Sequence, residues 1–186
     1  MSKGLQSTSS LVQHCTAIAL AKCLAKYAEV VRIFHNVQNV LEEDEEDGQW
    51  CKRRKELEKE VRRRVPDFQV VVGFSQQKLI DNASQQDNNF PSNGQMNLTK
   101  AALLSESSQR LLWLYHQCLP SLVAEARFDV GKLLLSFTGN DPDETEHSTT
   151  ARSDAVARFR TVRELHVLRL LKESDQFSWS GKSRMC

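Results

Sequence analysis

The stretch QRLLWLYHQCLPSLVAEARFDVGKLLL, residues 109–135, decides how this chain is read. Pro120 divides it, because a proline inside a helix removes a hydrogen-bond donor and clashes with the preceding turn. Leu111, Leu114, Tyr115, Cys118 and Leu119 recur at helical spacing before the break. Leu122, Val123, Ala126, Val130, Leu133 and Leu134 do so after it. Each half carries apolar residues on more than one face, and such a helix has to be covered on two sides. That is the situation of a helix in a stack of helix pairs, each pair burying its neighbour. The expected fold class is all-α.

Composition agrees. A chain of 186 residues suffices for one domain or for several helical repeats. Gly and Pro number 7 and 4, too few for a turn-rich β fold. The net charge of +1 gives no global field to steer nucleic acid or membrane. No apolar run approaches the roughly 18 residues of a membrane span. The cysteines are Cys15, Cys23, Cys51, Cys118 and Cys186, an odd number without a CxxC pair. Residues 1–10 are polar and lack the apolar core of a secretory signal. Reduced thiols in cytosol or nucleus follow, with Cys15, Cys23 and Cys118 as small core residues. In that compartment the sequons at Asn82 and Asn97 carry no meaning.

Working outward, residues 1–10 read as a disordered N-terminus and 11–79 as a helical segment. Ser9 or Ser10 caps a long first helix ending near Leu41. Leu11, Cys15 and Ile18 form one stripe, and Leu20, Leu24, Tyr27, Val31 and Phe34 another, so burial on two sides or a bend is expected. Six acids, Glu42 to Asp47, form a solvated loop before Gly48. The helix from Lys52 to Arg64 has eight cations and three anions over one narrow stripe of Leu57, Val61 and Val65. Residues 67–79 combine strand propensity at 70–74 with a helical face of Phe68, Val71, Val72, Ser75 and Leu79, and are read as helix. Residues 80–98 are a Gln/Asn-rich disordered linker. Thr99 caps the next helix, and 99–137 form the Pro120-broken pair. Residues 138–153 are a second, acidic loop. Asp154 caps a last helix, 154–174, with Val156, Phe159, Val162, Leu165, Val167, Leu168 and Leu171 as its apolar face. Arg152, Arg158, Arg160, Arg163, Arg169 and Lys172 make its other side basic, and 175–186 form a tail.

Three blocks carry a resemblance: EVRRRVPDFQVVVGF at 60–74, the 111–135 block, and RELHVLRLL at 163–171. With LVQHCTAIALAKCL at 11–24, they resemble the N-terminal helical-repeat region of the nucleolar pre-ribosomal-associated protein 1 family. The resemblance implies a HEAT/armadillo-like repeat, an α-solenoid fragment with two disordered polar loops. It implies a non-enzymatic scaffold in early large ribosomal subunit biogenesis and precursor rRNA processing, located in the nucleus and nucleolus. The implied partners are pre-ribosomal particle proteins and precursor rRNA, with no membrane and no small-molecule substrate. Family members are many times longer, so a fragment is implied, and no catalytic residue can be carried over. The alternative is a self-contained helical adaptor that binds a partner helix and has no RNA role.

Two sets of side chains are candidates for contact. Lys52, Arg53, Arg54, Arg62, Arg63, Arg64, Arg160 and Arg163 can meet RNA phosphates, since cations on a helix face release counterions on binding. The other reading is a solvated face balanced by Glu56, Glu58 and Glu60. Trp113, Tyr115, Phe177 and Trp179 are candidate protein contacts, with a core role as the other reading of Trp113 and Tyr115. His14, His35, His116, His147 and His166 lack paired zinc-ligand spacing, so no metal or cofactor is expected. His116 and Cys118 lie two apart on a helix and point to different sides, so they make no nucleophile–base pair. No enzyme is expected.

Overall fold

The computed structural model describes the backbone of residues 1–44, 46–84, 91–126, 130 and 151–174, and their side chains outside 77–84, 91–97 and 151–155. Among the described residues every regular element is a helix. They are α1 (Ser2–Leu5), α2 (Ser10–Val40), α3 (Gln49–Arg64), α4 (Phe68–Ser84), α5 (Pro91–Cys118), α6 (Pro120–Glu125) and α7 (Ala151–Glu173). The stretch 67–79, readable as strand or helix, is helical throughout α4.

Helix α5 is the centre. α7, α2 and α4 all pack on it, and α6 continues from its end. α3 lies outside, against α2, while α1 touches α2 and α4. One core results, formed by Leu20 and Leu24 of α2, Phe68, Val71 and Phe74 of α4, Leu111, Leu112 and Tyr115 of α5, and Leu170 of α7. Between residues 104 and 118 only Arg110 and Gln117 are exposed, so the apolar residues read on two faces are covered on both.

Local chemistry sets the breaks. Val65 takes an extended backbone because the following Pro66 disfavours the helical region. Asp67 then accepts a hydrogen bond from the Gln69 N–H at 3.1 Å and caps α4. Pro120 opens α6 at the position where its missing N–H costs nothing. The Tyr115 hydroxyl donates to the Pro66 carbonyl at 2.8 Å, joining α5 to the α3–α4 corner.

Several expectations change. The N-terminus contains α1, with Leu5 wholly buried and Gly4 packed so closely on Thr16 that a Cβ would overlap the threonine hydroxyl. The Gln13 side chain donates to the Leu5 carbonyl at 3.2 Å, which satisfies a buried acceptor. Such ties order a segment whose composition alone is polar. Of the Gln/Asn-rich stretch 80–98, the residues up to Ser84 belong to α4 and those from Pro91 belong to α5, and 85–90 lie outside the described residues. Thr99 and Asp154 therefore lie inside helices and do not cap them. The Leu11–Cys15–Ile18 stripe is exposed, since α5 takes the opposite side of α2. Among the described thiols Cys15 and Cys23 are exposed, Cys51 of α3 is buried and Cys118 is half-buried.

Helix α7 is rotated from its expected setting. Its inner face carries His166, Val167, Leu170, Leu171 and Ser174. Val162, Leu165 and Leu168 are 40%, 43% and 58% exposed. The cause is polar pairing with α5: His166 Nε2 lies 3.1 Å from a Glu106 carboxylate oxygen, both side chains being nearly buried. Leu133, Leu134, most of the acidic 138–153 loop, Phe177 and Trp179 lie outside the described residues.

Candidate functional site

Helix α3 begins in the acidic run. A Glu43 carboxylate oxygen accepts from the Trp50 N–H at 2.9 Å, in the first turn of α3, where the helix dipole favours a negative charge. Asp44 accepts from the Glu46 and Asp47 N–H groups at 2.8 and 3.1 Å, and these bonds hold its carboxyl below the usual range. Gly48 sits where any Cβ would meet the Asp44 carbonyl at 2.6 Å. The acidic run is thus a turn that caps α3. Among the described residues, no ion pair joins it to the cations that follow.

Trp50 and Cys51 fasten α3 to α2. The Trp50 ring lies 5.4 Å from Phe34, and the Arg53 guanidinium stands 5.0 Å above the Trp50 ring. Arg54 turns inward, with a guanidinium nitrogen 2.7 Å from the His35 ring nitrogens. Arg62 reaches Glu125 of α6 at 2.6 Å. Arg63 and Arg64 share Glu60, each at 3.0 Å. These pairs are solvated, and such pairs contribute about 0–1 kcal/mol each. They exchange for another anion at little cost.

The outward row differs from the one expected. Lys52, Lys55, Lys59 and Arg63 are all exposed and fall at helical spacing on the side away from α2. Arg54 serves the α2–α3 contact instead, while Arg53 stays exposed over Trp50 of its own helix. Lys55 and Lys59 share this exposed side, and the spacing 52, 55, 59, 63 is legible from the chain alone. Arg160 is exposed on α7, but Arg163 is half-buried toward α5. Among the described residues α3 and α7 share no extensive contact.

The aromatic candidates divide. Tyr115 has no exposed surface, and burial, with the charge of Asp67, pushes its phenol pKa above the ordinary value. It is a core residue and cannot meet a partner. Trp113 is half-buried, stacked on His166 at 5.6 Å and covered by the Arg169 guanidinium at 4.8 Å.

A polar seam joins α2, α5 and α7. His14 Nδ1 and Ser107 Oγ lie 3.1 Å apart. Burial works to raise the Glu106 pKa, but the His166 hydrogen bond and charge, with Arg110 and Ser107, hold it below the usual carboxylate value. The Ser107 hydroxyl has the Leu103 carbonyl at 2.9 Å and a Glu106 carboxylate oxygen at 3.4 Å as acceptors, so the seam ties the three helices together through a serine, histidines and a carboxylate. His116 is pulled down to about 4 by burial, and the half-buried Cys118 thiol is pushed up to about 11 by the same cause. Among the described residues no cluster of three or more His, Cys, Asp or Glu could hold a metal ion, and no helix is long and apolar enough to cross a membrane. The chain matches no family model, no curated protein and no solved structure.

Proposed function

We propose that this chain is a non-enzymatic helical scaffold that contacts RNA phosphates through the outer face of α3. The observation that carries the reading is the exposed row Lys52, Lys55, Lys59 and Arg63 on a helix anchored from one side. Cations in such a row neutralise successive phosphates and release counterions without reading bases. No aromatic side chain stands among these four on the outer side, so base stacking is not part of the mode. The wider setting follows the family resemblance. It is a HEAT/armadillo-like repeat in early large ribosomal subunit biogenesis, in the nucleolus, with precursor rRNA and pre-ribosomal proteins as partners. The antiparallel neighbours α2–α3 and α4–α5 fit helix pairs, although α5 packs most extensively on α7 and α2, which are not its neighbours in sequence.

The test is RNA retention over a salt series. Four phosphate contacts to a single strand give a slope of about −3 in log affinity against log salt, at about −0.7 per phosphate. Changing Lys52, Lys55, Lys59 and Arg63 together to Glu should abolish retention at low salt while the circular dichroism stays helical. Unchanged retention sinks the RNA reading. Enrichment of precursor large-subunit rRNA on crosslinking in cells, with nucleolar location, tests the setting.

A second reading, a protein-only helical adaptor, draws on α7. Its exposed Val162, Leu165 and Leu168 lie at the spacing of helix-in-groove anchors. An adaptor leaves RNA unbound at every salt concentration.

A further inference from the structure

We infer that the outer face of α2 is a self-association surface on which a second copy of this chain docks antiparallel, helix α2 against helix α2. The inference does not depend on the scaffold reading. Leu11, Cys15, Ile18, Lys22, Ala25, Glu29, Ile33, Asn36 and Val40 succeed one another at steps of three or four residues along one side of α2. All nine are exposed, so this side is open over its whole length. Leu11, Ile18, Ile33 and Val40 are 70%, 36%, 47% and 81% exposed. The stripe spans about 44 Å at 1.5 Å per residue. The core side of the same helix, with Ala17, Leu20, Ala21 and Leu24, faces α5 and stays occupied.

The order of residues in the stripe identifies the occupant. It mirrors itself about a point between Ala25 and Lys26. A two-fold axis there sets Leu11 against Val40 of the partner subunit, Ile18 against the partner's Ile33, and Cys15 against the partner's Asn36. It also sets Lys22 against Glu29 of the partner subunit. Leucine and isoleucine meet isoleucine and valine, Lys22 meets an anion, and where the helices cross the small Ala25 faces Lys26 of the partner subunit. Such a self-matching patch is what a two-fold interface requires, because the same surface serves both subunits. A parallel pair would stack Lys22 on Lys22 and Glu29 on Glu29, which like charges oppose. Glu29 already pairs with Lys26 of its own helix at 2.8 Å. That pair is solvated, and it leaves the second carboxylate oxygen for the partner's Lys22. One helix per side makes a small interface beside the roughly 1,200–2,000 Å² of stable complexes, so dissociation on the order of 1–100 µM is expected.

Sedimentation of the full chain across a concentration series tests the pairing. The unsubstituted chain should pass from monomer to dimer. Lys22→Glu alone and Glu29→Lys alone should each weaken the dimer on the order of tenfold. The double exchange Lys22→Glu/Glu29→Lys should restore it, because the pair is reversed on both sides. Ile18→Glu/Ile33→Glu should leave a monomer. All these positions are exposed, and circular dichroism of each variant checks its fold. Register is read by crosslinking in a Cys23→Ser/Cys186→Ser background. Asn36→Cys should give an oxidised dimer, lost on adding Cys15→Ser. A chain that stays monomeric throughout overturns the inference. So does a dimer indifferent to both single charge exchanges, or a Cys15–Cys15 crosslink, which would mean parallel helices.

Discussion

Helices α3 and α5 are both rich in residues that a sequence reader would mark, yet they are opposite kinds of element. α5 is enclosed by α2, α4 and α7, with only Arg110 and Gln117 exposed between residues 104 and 118. α3 leans on α2 and buries only Cys51 fully. In α5 the side chains are held by packing, so a change of one methylene is felt. In α3 Glu60, Arg62, Arg63 and Arg64 are held by solvated pairs that cost little to exchange. α5 maintains the fold, whereas the outer side of α3 is in solvent.

The largest expected contrast is Leu112→Ala against Arg63→Ala. Leu112 is wholly buried, and its truncation should cost about 2–5 kcal/mol in urea unfolding. Arg63→Ala should change stability by less than about 0.5 kcal/mol. Similar losses from the two would erase the distinction. Tyr115→Phe should cost about 1 kcal/mol, because the Pro66 carbonyl loses its buried donor at unchanged packing. A thermal melt identical to that of the parent chain would count against that bond.

Acid should act on α5 more than on α3. The half-buried His116 imidazole is neutral in the folded chain, its pKa lowered to about 4 by desolvation, whereas the unfolded chain takes up the proton near about 6.5. Stability is therefore full above about pH 6.5 and falls as the pH drops toward 4. His116→Gln should flatten denaturant midpoints across that window, and an unchanged slope would assign the acid sensitivity elsewhere. The smallest effect is one of access. Under native conditions iodoacetamide should label Cys15 and Cys23, while Cys51 and Cys118 react on unfolding. Native labelling of Cys51 would show that α3 detaches from α2 readily.

Much of the helical layout was legible. Pro66 and Pro120 act through the backbone and need no tertiary context to interrupt a helix. Gly48 behaves similarly, since the turn it follows leaves no space for a Cβ. The row Lys52, Lys55, Lys59 and Arg63 was equally legible, because helical spacing alone places it. The inward turn of Arg54 was not legible. It depends on His35 and Gln38 being brought alongside by the α2–α3 corner.

Helix type and helix breaks were set by the chain itself, through periodicity, proline and local caps acting over a few residues. Which face of each helix is covered was decided by the tertiary structure. Ile18 and Leu165 fit apolar stripes as well as Leu20 and Leu171 do, yet only the latter pair are buried. The reason is that burial depends on what lies opposite. α5 presents Glu106 and Ser107 to its neighbours, and their pairing with His166 and His14 sets how α7 and α2 are turned against it. Hydrophobic spacing proposes a face, and the polar groups of the neighbouring helix choose between the faces proposed.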